Sequence, residues 1–132
     1  MAKQVDHIGI LVSNLEEAIK LYKDCFGVEV DKIETISERG VKAAILSLAQ
    51  GANLELLEPL PGSNMANVLE KRGEGIHHIA LEVDNIDKEL SRLSKKGIEL
   101  IDMKARPGLE GMVAFIHPKS VRGVLVELCQ KI

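Results

Sequence analysis

The pattern of hydrophobic and polar residues repeats in the two halves of this chain. In the first half, residues 5–12 alternate in the manner of a half-buried strand, and helical spacing follows as far as Gly27. Ser13 with Glu16 indicates a capping box at the start of that helix. Strand-like segments then occur at 28–33, 41–48 and 52–57. The first half therefore predicts a strand, a helix and three strands.

The second half predicts the same order of elements. After a short connecting helix, predicted to be capped by Ser63 and to end near Gly73, a strand at 76–83 precedes a helix at 85–96. Further strands are expected near 99–103, 112–117 and 124–128. We therefore expect an α+β fold in which two paired βαβββ modules, about 1–60 and 75–132, form one domain (1–132) with pseudo-two-fold symmetry and a curved mixed sheet.

Two histidines and two glutamates recur at matching places in this duplication. His7 and His78 begin similar segments, and each is followed at nearly the same distance by a glutamate between aliphatic neighbours, Glu55 and Glu127. Successive strand residues point to opposite faces, so the alternation places all four on the face that the helices do not cover. The same alternation selects His78 over its neighbour His77. We expect the four side chains to converge on one concave sheet surface.

Such a cluster favours a divalent metal ion. A single histidine or glutamate on a strand is more often structural or solvated, but two imidazoles and two carboxylates brought together are costly to bury without a cation. Two nitrogen and two oxygen ligands also leave coordination positions open for catalysis. The donor types do not distinguish cobalt, manganese, zinc, nickel and magnesium.

Composition narrows the possible partners. The 132 residues are 45% hydrophobic, enough for one compact core. The net charge of −3, with mixed signs and few aromatic residues, argues against nucleic acid. No apolar run is long enough to predict a membrane span or a signal peptide, so a cytoplasmic protein is expected. Cys25 and Cys129 are expected to be buried thiols without a function.

Several segments from both modules resemble one known family. They are 6–10 (DHIGI), 55–60 (ELLEPL), 75–80 (GIHHIA), 82–86 (EVDNI), 117–120 (HPKS) and 123–128 (GVLVEL). These segments resemble the vicinal oxygen chelate superfamily and, within it, the methylmalonyl-CoA epimerases. The resemblance implies a divalent ion held by His7, Glu55, His78 and Glu127, and inversion of the carbon between the thioester and the carboxylate of an acyl-CoA substrate, without a redox cofactor.

The resemblance also implies roles for individual residues. Glu127 would serve as a base as well as a ligand, and Lys119 and Ser120 would contact the substrate. Some family members have a second glutamate where this chain has Ala43, so a mechanism with two carboxylates is not implied by the matching positions. A homodimer is expected. A lactoylglutathione lyase-like isomerase of a thiol hemithioacetal would use the same four ligands, and a non-catalytic ligand-binding or resistance protein of this fold is a further alternative.

Overall fold

The structure is a computed structural model that describes residues 1–132. Its eight strands are β1 (Gln4–Leu11), β2 (Glu29–Ile36), β3 (Val41–Ser47), β4 (Asn53–Pro59), β5 (Gly75–Glu82), β6 (Arg106–Pro107), β7 (Gly111–Ile116) and β8 (Val126–Lys131). Its three helices are α1 (Leu15–Phe26), α2 (Asn64–Arg72) and α3 (Ile86–Lys95).

The strand order reflects the duplication predicted from the sequence. The eight strands are hydrogen-bonded in the order β2-β3-β4-β1-β5-β8-β7-β6. Corresponding strands of the two modules lie at equal distances from the two ends of this order. They are β2 and β6, β3 and β7, β4 and β8, and β1 and β5. β5 and β8 run parallel, whereas β2–β3, β3–β4, β6–β7 and β7–β8 are antiparallel. The predicted α+β class with a mixed sheet and two βαβββ modules is confirmed.

The chain divides into two compact units whose boundary differs from the sequence repeat. One unit comprises residues 8–77, and the other combines residues 1–7 with residues 78–132. The boundary falls within β1, directly after His7. His7 therefore belongs to the same unit as His78 and Glu127, although it precedes them by most of the chain.

In the unit formed by residues 8–77, α1 covers one face of β3 and β4. The core contains Val12, Leu15, Val28, Ala44, Leu46 and Leu56. The predicted capping box was wrong: Asn14 is the N-cap, and its side chain accepts a hydrogen bond from the Glu17 amide. The Ser13 hydroxyl instead donates to Glu74 (3.1 Å). The α2 prediction is confirmed, since Ser63 caps this helix and Gly73 follows its last residue.

In the other unit, α3 packs on β7 and β8. This core contains Val83, Ile86, Leu90, Ala114, Ile116 and Leu128. The predicted strand near 99–103 is wrong, because this segment makes only an isolated bridge from Leu100 to Ile116. The Asp102 carboxylate accepts the Phe115 amide (2.8 Å), so a side chain replaces the carbonyl that a continuous strand would supply. The short β6 pairs with β7 instead.

None of the three helices is both long enough and apolar enough to cross a membrane.

Candidate metal centre

His7, His78 and Glu127 form a compact, buried cluster. The Nε2 atoms of the two histidines lie 3.1 Å apart, and their rings meet edge to face. Glu127 Oε1 lies 3.1 Å from His7 Nε2, and Glu127 Oε2 lies 4.0 Å from His78 Nε2. His78 and Glu127 are each only 1% exposed. Two nitrogen donors and a carboxylate thus meet where little water reaches them.

Strand pairing explains why Glu127 lies beside His78. β5 and β8 are parallel neighbours, with Ala80 opposite Glu127, so the glutamate shares a face with Ala80 and with His78 two residues earlier. On the other side of β8, Phe115 is opposite Glu127. The Phe115 ring meets the His78 imidazole edge to face at 5.4 Å. Ala80 and Phe115 therefore supply an apolar wall beside the polar cluster.

Glu55 lies on β4 and is also buried, at 4% exposure. It faces Ile45 across the β3–β4 ladder, on the side opposite Leu56, which belongs to the α1-facing core. Glu55 thus lies on the face of β4 that the alternation of strand residues predicts. Glu55 belongs to the unit 8–77, and its role as the fourth metal ligand stays a prediction.

The donor set fits a divalent cation. His7 Nδ1 lies 2.8 Å from Asp6 Oδ2, and because an ionised carboxylate only accepts hydrogen bonds, Nδ1 is the donor and Nε2 is the ring nitrogen left to bind a metal. That Nε2 atom lies next to His78 Nε2 and a Glu127 oxygen. Such a concentration of acceptors is stabilised by a positive ion, and imidazole with carboxylate is a common ligand set for divalent metals. His78 belongs to the group that could hold a metal, and His77 does not.

Asp6 is a site residue that the sequence reasoning did not single out. It is 8% exposed and accepts from His7 Nδ1 and, through its other oxygen, from Lys131 Nζ (2.8 Å). The hydrogen bond with His7, followed by that with Lys131, lowers the pKa of Asp6 to about 2. The same contact raises the pKa of Lys131. Alternation along a strand points neighbouring side chains to opposite faces, so it does not predict a contact between Asp6 and His7. The only sequence signal for this contact is the position of an acidic residue directly before a histidine.

The predicted substrate residues lie in a turn after β7. Residues Pro118–Val121 form a 3₁₀ turn, and the Lys119 amide donates to His117 Nδ1 (3.1 Å). The Ser120 hydroxyl accepts the Glu99 amide (2.9 Å), which ties this turn to the preceding segment. The Lys119 side chain is exposed. A role for Lys119 and Ser120 in substrate binding stays a prediction.

Ala43 and the two cysteines complete the positions singled out from the sequence. Ala43 is 1% exposed and lies between Glu34 of β2 and Leu57 of β4. Its methyl group cannot transfer a proton.

Cys129 is buried, and burial raises the pKa of its thiol to about 12. The expectation of a buried thiol was wrong for Cys25, which is exposed on the solvent side of α1.

Residues 6–115 match the Glyoxalase/Bleomycin resistance protein/Dioxygenase superfamily, and the chain belongs to this family. Within it, the similar proteins include methylmalonyl-CoA epimerases. The mitochondrial methylmalonyl-CoA epimerase of Dictyostelium discoideum is 39% identical over 97% of this chain and 78% of its own length. The ethylmalonyl-CoA/methylmalonyl-CoA epimerase of Cereibacter sphaeroides is 37% identical over 98% of this chain and 99% of its own.

A solved structure of the Streptomyces coelicolor methylmalonyl-CoA epimerase, a variant in complex with 2-nitronate-propionyl-CoA, is also similar. It has a TM-score of 0.94 and 33% sequence identity, and the match covers 99% of this chain and 99% of that one. Fold and sequence thus agree along nearly the whole chain, in keeping with the resemblance found in the sequence segments.

Proposed function

We propose that this chain is a metal-dependent epimerase that interconverts the two C2 epimers of methylmalonyl-CoA. The observation that carries the proposal is the buried cluster of His7, His78 and Glu127, in a chain that matches epimerases of this substrate over nearly its full length. The C2 proton lies between a thioester and a carboxylate, so its removal needs no redox cofactor.

We assign the metal to His7, Glu55, His78 and Glu127. These four residues would hold a divalent ion, whose positive charge would stabilise negative charge on the thioester oxygen when the C2 proton is removed. Cobalt, manganese, zinc, nickel and magnesium are all compatible with these donors.

Glu127 is our candidate for accepting the C2 proton. It is a carboxylate next to both histidines, and the adjacent side chains of Ala80 and Phe115 keep bulk water from it. A carboxylate in such surroundings can take a proton at one oxygen while the other stays near the histidines. Inversion also requires a group that returns a proton to the opposite face of C2. Some family members have a glutamate on β3 at the position of Ala43, but the methyl group of Ala43 cannot carry a proton.

The acyl-CoA would be held in part by the turn at Pro118–Val121. The exposed ammonium group of Lys119 suits a phosphate or carboxylate. The Ser120 hydroxyl accepts the Glu99 amide and keeps its own hydrogen to donate. These contacts would position the substrate and would not take part in proton transfer.

The test of this function is deuterium exchange. In deuterated water, one epimer of methylmalonyl-CoA should incorporate deuterium at C2 and lose its optical configuration, only with metal present. Glu127→Gln removes the proton-accepting charge at nearly constant size. Exchange should then fall by more than the loss of bound metal explains, by about 10²-fold or more. Glu82→Gln is the matched control, because Glu82 lies two residues beyond Ala80 on β5 and binds Gln4 and Lys3.

Other outcomes would contradict the proposal. If metal loss and exchange loss are equal in Glu127→Gln, Glu127 is a ligand and not the base. Rapid isomerisation of a glutathione hemithioacetal, without exchange into methylmalonyl-CoA, would replace the epimerase with a lyase-type isomerase. Full metal binding with no activity on either substrate would identify a ligand-binding protein of the same fold.

We further propose a cytoplasmic homodimer in which each chain carries its own complete metal site. His7→Ala and Glu127→Ala proteins, each inactive, should remain inactive after they are unfolded together and refolded, because neither chain in a mixed dimer has all four ligands. Size-exclusion chromatography with light scattering would verify the dimer. Recovered activity in the mixture would show that the chains share ligands between them.

A further inference from the structure

Lys131, Asp6 and His7 form a continuous chain of short polar contacts. Lys131 Nζ lies 2.8 Å from Asp6 Oδ1, and Asp6 Oδ2 lies 2.8 Å from His7 Nδ1. Each carboxylate oxygen thus has its own partner. Asp6 is 8% exposed, so these contacts are largely protected from competing water.

The contact to Asp6 determines which nitrogen of His7 keeps its hydrogen. An ionised carboxylate only accepts hydrogen bonds, so the ring nitrogen facing it, Nδ1, must carry the proton. In the neutral imidazole, Nε2 then holds the lone pair. This Nε2 atom is the one that lies 3.1 Å from His78 Nε2 and 3.1 Å from Glu127 Oε1.

Lys131 in turn restricts Asp6. It is near the end of β8, four residues after Glu127 and on the same face of that strand. One strand therefore carries both the Glu127 carboxylate and the ammonium group that holds Asp6. The same strand thus contacts Asp6 through Lys131 and His7 through Glu127.

We propose that Asp6 and Lys131 are positioning residues, which hold His7 in the tautomer and orientation required for its Nε2 to bind the metal. This inference rests on the proposed metal site, but the arrangement exists in the chain without metal. Hydrogen-bonded carboxylates behind ligating histidines commonly change metal affinity by about 10–100-fold.

The first measurement uses the metal-free protein. Long-range nitrogen–proton NMR on histidine-labelled protein, above the ordinary pKa range of histidine, reports the tautomer of each ring. His7 should have its hydrogen on Nδ1 in the unmodified chain. In Asp6→Asn it should show a substantial population with the hydrogen on Nε2, because an amide no longer demands a donor from the ring. A His7→Gln protein assigns the signal. Hydrogen on Nε2 in the unmodified chain would overturn the proposal.

The second measurement is cobalt binding by titration calorimetry. Asp6→Asn should bind cobalt about 10–100-fold more weakly with unchanged stoichiometry. Lys131→Met should weaken binding in the same direction by a smaller factor, and it alters a side chain that is 39% exposed and lies outside both cores. Lys3→Met is the matched control, because Lys3 pairs with Asp84 (3.0 Å) and Glu82 and does not contact Asp6. We expect Lys3→Met to bind cobalt with the same affinity as the unmodified chain.

The two measurements distinguish the possible failures. If the unmodified chain binds no cobalt, the proposed metal site is wrong, whereas the NMR result still decides the tautomer of His7. If cobalt binds and both Asp6→Asn and Lys131→Met retain full affinity, the positioning role is wrong and the metal site stands. Weaker binding in Lys3→Met as well would indicate a general charge effect and would also refute the proposed role.

Discussion

Replacing Gly111 by alanine should destabilise the unit that carries His7, His78 and Glu127. Gly111 begins β7 and faces Lys131 of β8. A Cβ atom at this position would lie 2.1 Å from the carbonyl oxygen of Gln130 and 3.0 Å from the Lys131 Cα. Approaches below 3.0 Å are essentially never made by real Cβ atoms. The strands must therefore separate, because backbone atoms of β8 cannot rotate away as a flexible side chain would.

The expected cost has two parts. Overpacking of this kind costs about 1–3 kcal/mol. The backbone angle, φ +157°, is also one that residues with a side chain rarely adopt, which adds about 1–3 kcal/mol. We therefore expect a loss of about 2–6 kcal/mol in the free energy of unfolding, a large fraction of the stability of a typical domain.

Gly123→Ala provides the matched control. Gly123 also has a positive φ, +91°, but no heavy atom lies within 4 Å of the Cβ position. Gly123→Ala should therefore lose only the part of the free energy of unfolding that comes from the positive φ. Urea unfolding followed by circular dichroism measures both variants, and the difference between them, about 1–3 kcal/mol, isolates the collision with β8. Equal stabilities for the two variants would refute the close approach of β7 and β8 at Gly111.

Two further predictions concern single side chains. Metal content measured after substitution should fall in His78→Ala and remain in His77→Ala, because only His78 belongs to the buried ligand group; the reverse result would mean that the alternation on β5 has been assigned incorrectly. A thiol-specific reagent should modify Cys25 rapidly in the native chain and Cys129 only after unfolding, since one is exposed and the other buried with a raised pKa. A Cys25→Ser protein that still reacts at once would contradict the burial of Cys129.

The alternation of strand residues was sufficient to predict much of the candidate site. It depends only on the geometry of extended backbone, so it assigned His78 and Glu127 to the correct face before any contact was known. The duplication then paired the two modules. The helices were predicted with similar success, because the spacing of their apolar residues and the glycines after α1 and α2 are local signals.

The structure differs from the sequence prediction where side chains compete with the backbone for hydrogen bonds. Asp102 takes the Phe115 amide and prevents a strand at 99–103, although the residues there have strand-like spacing. Asn14 replaces Ser13 as the cap of α1 because Ser13 binds Glu74, far away in the sequence. The Asp6 contact with Lys131 likewise spans nearly the whole chain, and such contacts leave no local pattern from which to predict them.

The division of the chain after His7 has a consequence for the order of folding during synthesis. The unit 8–77 is continuous, so it can form as soon as those residues have left the ribosome. The first seven residues, in contrast, belong with residues made later, and Lys131, which holds Asp6, is among the last to be added. His7 is therefore translated early, whereas its contacts with His78 and Glu127 form late. β5, which neighbours β1 in the sheet, is made before β8, but the contacts of Asp6 with Lys131 and of His7 with Glu127 can form only after β8 has emerged, so the surroundings of His7 are completed by the last strand of the chain.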